Sequence, residues 1–285
     1  MFSDTHFHYK MATRERGVDG KAVLSALLAR NTFFAQDIGT HCDDIESRVS
    51  AIEEDISLLA EDEQNKARAM MFYSAGIWPA EEAIREREKQ VKILEEQILS
   101  TQERFGKKIV SLGECGLDHH WNSEHESEFD SDMIAAEKEM FELQLLLAKK
   151  LDLPVIVHSR DAASDTIECI KRVGYDRGII HCYSYGIDEA RVFLDRGWYI
   201  SFSGSITYTK KSKMEGMRAL LRYVPSDRIL LETDAPYLAP VPLRGTVNTP
   251  VNVEHTYQYC ADMRMEKVED LSETVDNNIR ALYRL

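Results

Sequence analysis

The sequence lacks the features of secreted and membrane proteins. Its five cysteines are an odd number without framework spacing, which argues against a set of structural disulfides. Charged residues interrupt apolar runs such as LQLLLA well before the roughly 20 residues that a transmembrane helix needs. The polar start MFSDTHFH offers no secretory hydrophobic region. We therefore expect a cytoplasmic protein with no membrane partner, in which Cys115 and Cys182 are packing thiols.

Positive charge is scarce, and flexible linkers are missing. Asp and Glu number 49 against 35 Lys and Arg, so the formal net charge is −14. This negative net charge argues against a protein that binds duplex nucleic acid over its whole surface, but it permits one cleft that is positively charged or filled with metal ions. No segment rich in Gly, Pro or Ser marks a boundary, and no solenoid repeat is visible. A single domain over residues 1–285 is the prediction.

Short apolar stretches alternate with longer segments of helical period. The eight strand candidates are MFSDTHF, NTFFAQDI, AMMFYSAG, KIVSLGE, LPVIVH, GIIHCY, WYISFS and RILLET. The helical segments cover 20–30, 43–60, 80–104, 128–151, 161–173, 187–196, 212–223 and a C-terminal region from about 251. Such alternation predicts right-handed βαβ units and a parallel sheet. Eight units favour an α/β protein with a (β/α)₈ TIM-type barrel, and a doubly wound open sheet is the alternative.

Ionisable side chains stand at the carboxyl ends of these predicted strands, where barrel enzymes build their active sites. The set comprises His6, His8, Glu114, His158, His181 and Asp234. Taken singly, each histidine is explained more simply as a hydrogen-bonded core residue. Six ionisable groups at the ends of apolar strands would be costly to desolvate without a cation. Four imidazoles and two carboxylates exceed the needs of one ion, so we predict two divalent ions, with Glu114 as the bridge.

Six motifs follow one another along the chain: DTHFH, LGECGLD, VIVHSRDA, HCYS, YISFSG and LLETDAPYLAP. In this order they resemble the TatD family of metal-dependent deoxyribonucleases, a branch of the amidohydrolase superfamily with a TIM-type barrel, and the similarity covers nearly the whole chain. The resemblance implies that the six residues bind two divalent ions and that the substrate is DNA. It also implies that Asp234 is both ligand and acid/base group, so Asp234 and Glu114 are the catalytic candidates. The sequence does not choose between Mg²⁺, Mn²⁺ and Zn²⁺.

Basic residues near the same strand ends are candidates for phosphate binding. Arg160 follows the ligand of the fifth strand, although an ion pair with Asp161 and a helix cap explain the two residues equally well. Lys210 and Lys211 follow the seventh strand and Arg244 follows the eighth, where barrels often carry phosphate sites. An ordinary solvated loop is the alternative for these three cations.

The chain departs from the family pattern at two places. The third-strand motif reads GIWP where many relatives show GxHP, so Trp78 replaces a histidine expected near the site and becomes a candidate substrate contact. The loop after strand eight reads RGTVNTP, which lacks two positive charges of a pattern like RGKRNEP. We expect metal binding to survive both changes and action on polymeric DNA to be less efficient.

Further aromatic and histidine side chains lie near the same strand ends. Stacking on bases is a hypothesis for a group of aromatic residues, although packing is simpler for each: Tyr9, Trp78, Trp121, Tyr183, Tyr208 and Tyr237. Substrate contact is a weaker hypothesis for His41, His119, His120 and His125.

Three functions remain open at this point. The leading one is a metal-dependent deoxyribonuclease whose substrate is a single strand or a DNA end, because a deep barrel mouth accepts a flexible terminus more readily than a duplex. The alternative is a metal-dependent hydrolase of small phosphoesters, amides or carboxylic esters on the same scaffold. A metal-binding protein with little catalysis is the third.

Overall fold

The computed structural model describes residues 2–106, 108–120 and 131–285. Eight strands form one sheet in which the spatial order follows the chain order. The strands are β1 (Asp4–Phe7), β2 (Ala35–Asp37), β3 (Met71–Ala75), β4 (Ile109–Asp118), β5 (Val155–Arg160), β6 (Gly178–Ile180), β7 (Tyr199–Phe202) and β8 (Ile229–Leu231). Because these strands alternate with helices, the fold is a (β/α)₈ barrel of the TIM type, which confirms the predicted fold class.

The helices follow the strands in the predicted order. They are α1 (Gly20–Ala29), α2 (Ile45–Ile56), α3 (Glu61–Met70), α4 (Glu81–Arg85), α5 (Arg87–Phe105), α6 (Ser131–Leu151), α7 (Ala163–Val173), α8 (Ile187–Asp195), α9 (Met214–Tyr223), α10 (Val253–Arg264) and α11 (Val268–Tyr283). Short turns of other helix types cover Met11–Glu15, Gly204–Tyr208, Lys211–Lys213, Ser226–Arg228 and Pro250–Asn252.

Two local predictions differ from the structure. Helix α3 was not predicted, because only Ala67 and Met70 of its ten residues are buried and the apolar period is therefore too weak to read. Strands β4 and β5 continue beyond their predicted ends, to Asp118 and Arg160, so Glu114 and His158 lie inside their strands rather than at the ends. The pairing of β4 with β5 changes register between Leu112 and Cys115, next to Glu114.

The chain separates into two compact units, and the first comprises Met1–Asp37, Glu46–Phe72 and Ile200–Leu285. In this unit β1 pairs with β2 and β7 pairs with β8, both in parallel. A parallel bridge between Phe7 and Ala235 joins the end of β1 to the segment after β8. The aromatic ring of Phe34 stacks against two other rings, with centroids 4.6 Å from Phe72 and 5.0 Å from Tyr283. These contacts bring the first and last strands of the chain together.

The second unit comprises Ile38–Ile45 and Tyr73–Tyr199. Its strands β3, β4, β5 and β6 pair in parallel with their neighbours in sequence. All ten residues of β4 are buried, and α6 packs against this strand. The side chain of Gln144 on α6 hydrogen-bonds both the N–H and the carbonyl of Ile77, at 2.8 and 3.0 Å. Helix α6 therefore fixes the segment that follows β3 as well as supporting β4.

All five cysteines lie in the described part of the chain, and all are free thiols. Cys115 is fully buried and packs with its sulfur 3.8 Å from the carbonyl of Ile156, as predicted. Among the described residues, none of the helices combines the length and the apolarity needed to cross a lipid bilayer.

Candidate metal centre

Strand β1 and the segment after β8 form a first ligand cluster, defined as His6, His8 and Asp234. The Nε2 atoms of both imidazoles lie 3.6 Å from Oδ1 of Asp234. The two rings meet edge to face with centroids 5.1 Å apart, which agrees with the predicted common direction of side chains two residues apart. Both histidines are buried, and Asp234 is mostly buried. Two imidazole nitrogens and a carboxylate oxygen thus converge on one point.

Main-chain hydrogen bonds hold this first cluster together. The N–H of Asp234 donates to the carbonyl of His6 at 2.9 Å, and the N–H of His8 donates to the carbonyl of Ala235 at 2.7 Å. Asp234 has a φ of 58°, in the left-handed region that aspartate tolerates better than most residues. Backbone conformations of this kind cluster at functional sites, where the surrounding structure enforces them.

The buried carboxylate of Asp4 links the two segments that carry the first cluster. Its Oδ1 accepts hydrogen bonds from the N–H groups of His6 (3.1 Å) and Thr233 (3.0 Å), and its Oδ2 accepts one from Oγ1 of Thr233 (2.6 Å). Burial raises the pKa of Asp4 well above its usual range, while the donors of Thr233 and His6 act in the opposite direction. Asp4 therefore holds His6 in β1 and Thr233 after β8, and Thr233 is the neighbour of Asp234. Sequence reasoning did not assign this role.

The second ligand cluster consists of Glu114, His158 and His181. Oε1 of Glu114 lies 2.8 Å from Nδ1 of His158 and 2.9 Å from Nε2 of His181. Those two imidazole nitrogens are 3.3 Å apart. Each residue offers one ligand atom within 4.8 Å of the others. Glu114 and His181 are buried, and His158 is half-buried.

The electrostatics of the second cluster fit a bound cation. Burial disfavours the charged form of His158, but hydrogen bonds to Asp118 and Glu114 outweigh it and raise the pKa of His158 to about 8. The cluster therefore attracts positive charge, which a proton supplies in the metal-free chain. Its nitrogen and oxygen donors suit divalent ions of the zinc and manganese type, and such ions displace protons from their ligands. The residues of this cluster fit a metal ion.

Two predicted substrate contacts lie beside the second cluster. The Trp78 ring meets the His158 ring edge to face with centroids 5.8 Å apart, so the tryptophan of GIWP stands next to a candidate ligand. Arg160 is exposed at the last position of β5, where its backbone pairs with that of Asp118, and its side chain makes no hydrogen bond or ion pair with another described residue. The alternative for Arg160 and Asp161 is not observed, because Oδ2 of Asp161 lies 3.1 Å from Nδ1 of His120. The residue preceding α7 is Ala162, which gives no side-chain cap.

The other predicted cations lie with an aromatic ring in the loops after β7 and β8. We call this group the basic-aromatic patch: Tyr208, Lys210, Lys211 and Arg244. The guanidinium of Arg244 lies over the Tyr208 ring, 4.3 Å from its centroid. The hydroxyl of Tyr208 donates to the carbonyl of Ala239 at 2.5 Å, which fixes the ring between the two loops. Lys210 and Lys211 are exposed. The arrangement presents three cations and the edge of an aromatic ring.

The remaining aromatic candidates divide by burial. Tyr237 is 46% exposed, and its ring centroid lies 6.4 Å from that of His8. Tyr9 and Tyr183 are buried, so packing explains both. Trp121 and His125 lie outside the described residues.

The other histidines named from the sequence lie in polar surroundings. Nε2 of His119 is 3.3 Å from Oε2 of Glu137, and Nδ1 of His41 is 2.9 Å from the hydroxyl of Thr40. The contact with Glu137 raises the pKa of His119. Neither histidine belongs to the two ligand clusters.

Comparisons with known proteins identify a family and several relatives of this chain. The family described as "TatD related DNase" matches residues 3–284. An uncharacterized metal-dependent hydrolase of Bacillus subtilis, YabD, is 32% identical over 216 residues, which cover 75% of this chain and 78% of that protein. A Pantoea vagans protein named "3'-5' ssDNA/RNA exonuclease TatD" is 34% identical over 201 residues, covering 66% and 72%.

A solved structure of similar fold extends over the whole chain. The crystal structure of the TatD homologue YJJV from Escherichia coli superimposes with a TM-score of 0.77 at 26% identity, covering 100% of this chain and 98% of that one. Because the family match spans almost every residue and the relatives are metal-dependent hydrolases, this chain belongs to the TatD related DNase family and is a TatD-type metal-dependent hydrolase.

Proposed function

We propose that this protein is a deoxyribonuclease that hydrolyses phosphodiester bonds with two divalent metal ions. The proposed ligands are those of both clusters: His6, His8, Glu114, His158, His181 and Asp234. The observation that carries the proposal is that each cluster joins two imidazole nitrogens to a carboxylate oxygen, on barrel strands or in the short segments that follow them. The carboxyl ends of the strands form the active site in barrels of this type.

The number of donors supports two ions. A single zinc or manganese ion at a catalytic site typically uses three protein ligands and keeps a position open for water. Each cluster supplies three such donors. Glu114 is proposed as the bridging ligand, because a carboxylate has two oxygens and each can bind one ion. The identity of the ions, Mg²⁺, Mn²⁺ or Zn²⁺, is left to measurement.

Divalent ions at this site would supply Lewis-acid activation of water and of the phosphate. Asp234 is proposed to accept the proton of the attacking water, since main-chain hydrogen bonds hold the backbone of residues 234 and 235 against β1 and its carboxylate lies beside His6 and His8. Arg160 is proposed to bind a non-bridging phosphate oxygen, because it is exposed and makes no ion pair with another described residue.

A single-stranded end is the proposed form of the DNA. Single strands bind to grooves that combine cations with aromatic rings, and the basic-aromatic patch offers three cations beside one ring. The exposed ring of Tyr237 beside His8 and the ring of Trp78 beside His158 offer further surfaces for unpaired bases. A net charge of −14 disfavours broad contact with a duplex. The name of the Pantoea relative agrees with this choice.

The test uses the purified full chain, stripped with a chelator and then reloaded with Mg²⁺, Mn²⁺ or Zn²⁺. We expect a 5′-labelled single-stranded oligonucleotide to be shortened stepwise, and a blunt duplex to be cleaved more slowly. Asp234→Asn and Glu114→Gln are expected to abolish cleavage, because they remove a proton acceptor and a ligand. Asp188→Asn is the matched control, since this carboxylate is exposed and pairs only with Arg191 among the described residues. Intact DNA with every ion, or equal activity in Asp234→Asn, would contradict the proposal.

A hydrolase of small phosphoesters, amides or carboxylic esters is the second candidate. It is favoured by Trp78, which places an apolar ring against His158 where many relatives have histidine. The two positive charges missing from RGTVNTP point the same way. Turnover of bis(p-nitrophenyl) phosphate or p-nitrophenyl acetate by a preparation that leaves DNA intact would favour this candidate. Trp78→His is then expected to shift the preference toward DNA.

A further inference from the structure

Two buried carboxylates lie behind the second cluster. Asp118, the last residue of β4, is 1% exposed, and its Oδ2 lies 2.9 Å from Nε2 of His158. Glu137 on α6 is fully buried, and its Oε1 accepts the N–H of Asp118 at 2.8 Å. Carboxylates at such positions are costly to bury unless hydrogen bonds compensate. Asp118 thus contacts His158 directly, and Glu137 contacts the main chain of Asp118.

We infer that Asp118 is a positioning residue that fixes the tautomer and ring orientation of His158, and that Glu137 holds Asp118 in place. The inference rests on the proposed metal site. An ionised carboxylate can only accept hydrogen bonds, so the proton between Asp118 and His158 belongs to Nε2 of the imidazole. In neutral His158 the lone pair then stands on Nδ1, the nitrogen that faces Glu114 and His181. Nδ1 is therefore the nitrogen that would hold the ion.

The support from Glu137 comes from a different element. Its bond to the N–H of Asp118 ties the end of β4 to α6, and its second oxygen lies 3.3 Å from Nε2 of His119. Helix α6 also fixes the segment after β3 through Gln144. The backbone of Asp118 is thus held in place by a hydrogen bond to another element. A residue that orients a metal ligand needs such support.

The decisive variant is Asp118→Asn, because asparagine has nearly the shape of aspartate but can also donate a hydrogen bond. An amide that donates to Nε2 stabilises the other tautomer, in which the proton occupies Nδ1 and blocks the ligand nitrogen. Loss of such an orienting partner typically weakens metal binding about 10- to 100-fold. Asp176→Asn is the matched control, since this carboxylate binds Trp198 and Arg196 in the same unit and touches neither cluster.

The experiment measures metal affinity and spectrum, with no nuclease assay. Metal-free full-length protein is titrated with Zn²⁺ against a chromophoric chelator, and with Co²⁺ while the visible absorption of the bound ion is recorded. We expect Asp118→Asn to bind one Zn²⁺ about 10- to 100-fold more weakly and to show an altered Co²⁺ spectrum, whereas Asp176→Asn matches the wild type. Circular dichroism checks that both variants are folded.

The outcomes separate this inference from the proposed function. If the wild type binds neither Zn²⁺ nor Co²⁺, the metal site itself fails, and the inference fails with it. If the wild type binds both ions and Asp118→Asn binds them equally well with an unchanged spectrum, only the inference is overturned. Should Asp118→Asn not fold, ¹⁵N shifts of the His158 ring in the wild-type Zn²⁺ complex give the answer, assigned with His158→Gln. A proton on Nε2 supports the role of Asp118, and a proton on Nδ1 overturns it.

Discussion

Replacing Thr233 with valine tests whether Asp4 and Thr233 hold the first cluster together. Both residues are completely buried, and valine keeps the shape of threonine while removing its hydroxyl. The hydroxyl donates to Oδ2 of Asp4 at 2.6 Å and accepts from the N–H of Ala235 at 3.2 Å. A hydrogen bond to a charged group contributes about 1.5–3 kcal/mol, and a neutral one about 1 kcal/mol. We therefore expect Thr233→Val to lower the free energy of unfolding by about 2 kcal/mol where Asp4 keeps its proton, and by about 3 kcal/mol where its carboxylate is charged.

The pH dependence of this loss follows from Asp4. Burial raises the pKa of Asp4 in the folded chain, so the folded state binds its proton more tightly than the unfolded state does. Stability due to this group is therefore lost as the pH rises from the ordinary aspartate pKa through the raised value. Thr233 opposes that shift, and removing its hydroxyl enlarges it. The cost of Thr233→Val should accordingly be greater at pH 8 than under acidic conditions, where Asp4 keeps its proton.

Urea unfolding followed by circular dichroism measures this cost at each pH. Thr246→Val is the matched control, because this exposed hydroxyl donates only to the carbonyl of Leu243 at 2.8 Å. Its expected cost is below about 0.5 kcal/mol, as for most surface substitutions. If Thr233→Val costs no more than Thr246→Val at neutral pH, Asp4 and Thr233 do not stabilise this junction as argued.

Three further outcomes are expected. Gly116→Ala should lower the free energy of unfolding by several kcal/mol and reduce the yield of soluble protein, because φ is +144° and the added Cβ would lie 1.9 Å from the carbonyl oxygen of His158. Gly216→Ala is the control, because a Cβ there meets no atom within 4 Å. Thermal unfolding of the two variants measures the difference. Arg244→Gln should raise KM for an oligonucleotide and lower the salt dependence of binding by about one unit of slope, without changing turnover of a small diester; an unchanged slope would place Arg244 outside the DNA path. In metal-free protein, His158 with its pKa raised to about 8 should contribute about 2 kcal/mol below pH 6.5, lost as the pH rises through 8. That pH dependence should be smaller in His158→Gln, measured by urea unfolding; equal curves would refute it.

Much of the fold could be predicted from periodicity alone. All eight strand candidates overlap an observed strand, because a buried parallel strand reads as a short apolar run between turn signals. His6 and His8 were expected to point the same way from their spacing, and both stand beside Asp234. The polar helix α3 escaped prediction, since its sequence has almost no apolar face.

Burial and pairing of polar groups could not be predicted in the same way. Tyr9 and Tyr237 both follow ligand motifs, yet Tyr9 is buried with its hydroxyl on Asp55 and Tyr237 is exposed. Nothing in the motif LGECGLD indicates that Asp118 would contact His158, because the two residues lie on different strands. Such contacts depend on the register between strands, which cannot be read from a single sequence.

The sequence by itself determined the order of strands and helices, the residue types at the strand ends and hence the family and its metal-binding chemistry. Which carboxylate meets which donor follows only from the three-dimensional fold. Asp4 and Thr233 are 229 positions apart and touch because β1 lies beside β8, while Asp118 reaches His158 because β4 pairs with β5. Local patterns encode which face of an element is buried, whereas contacts between distant side chains exist only once the sheet has brought its strands together.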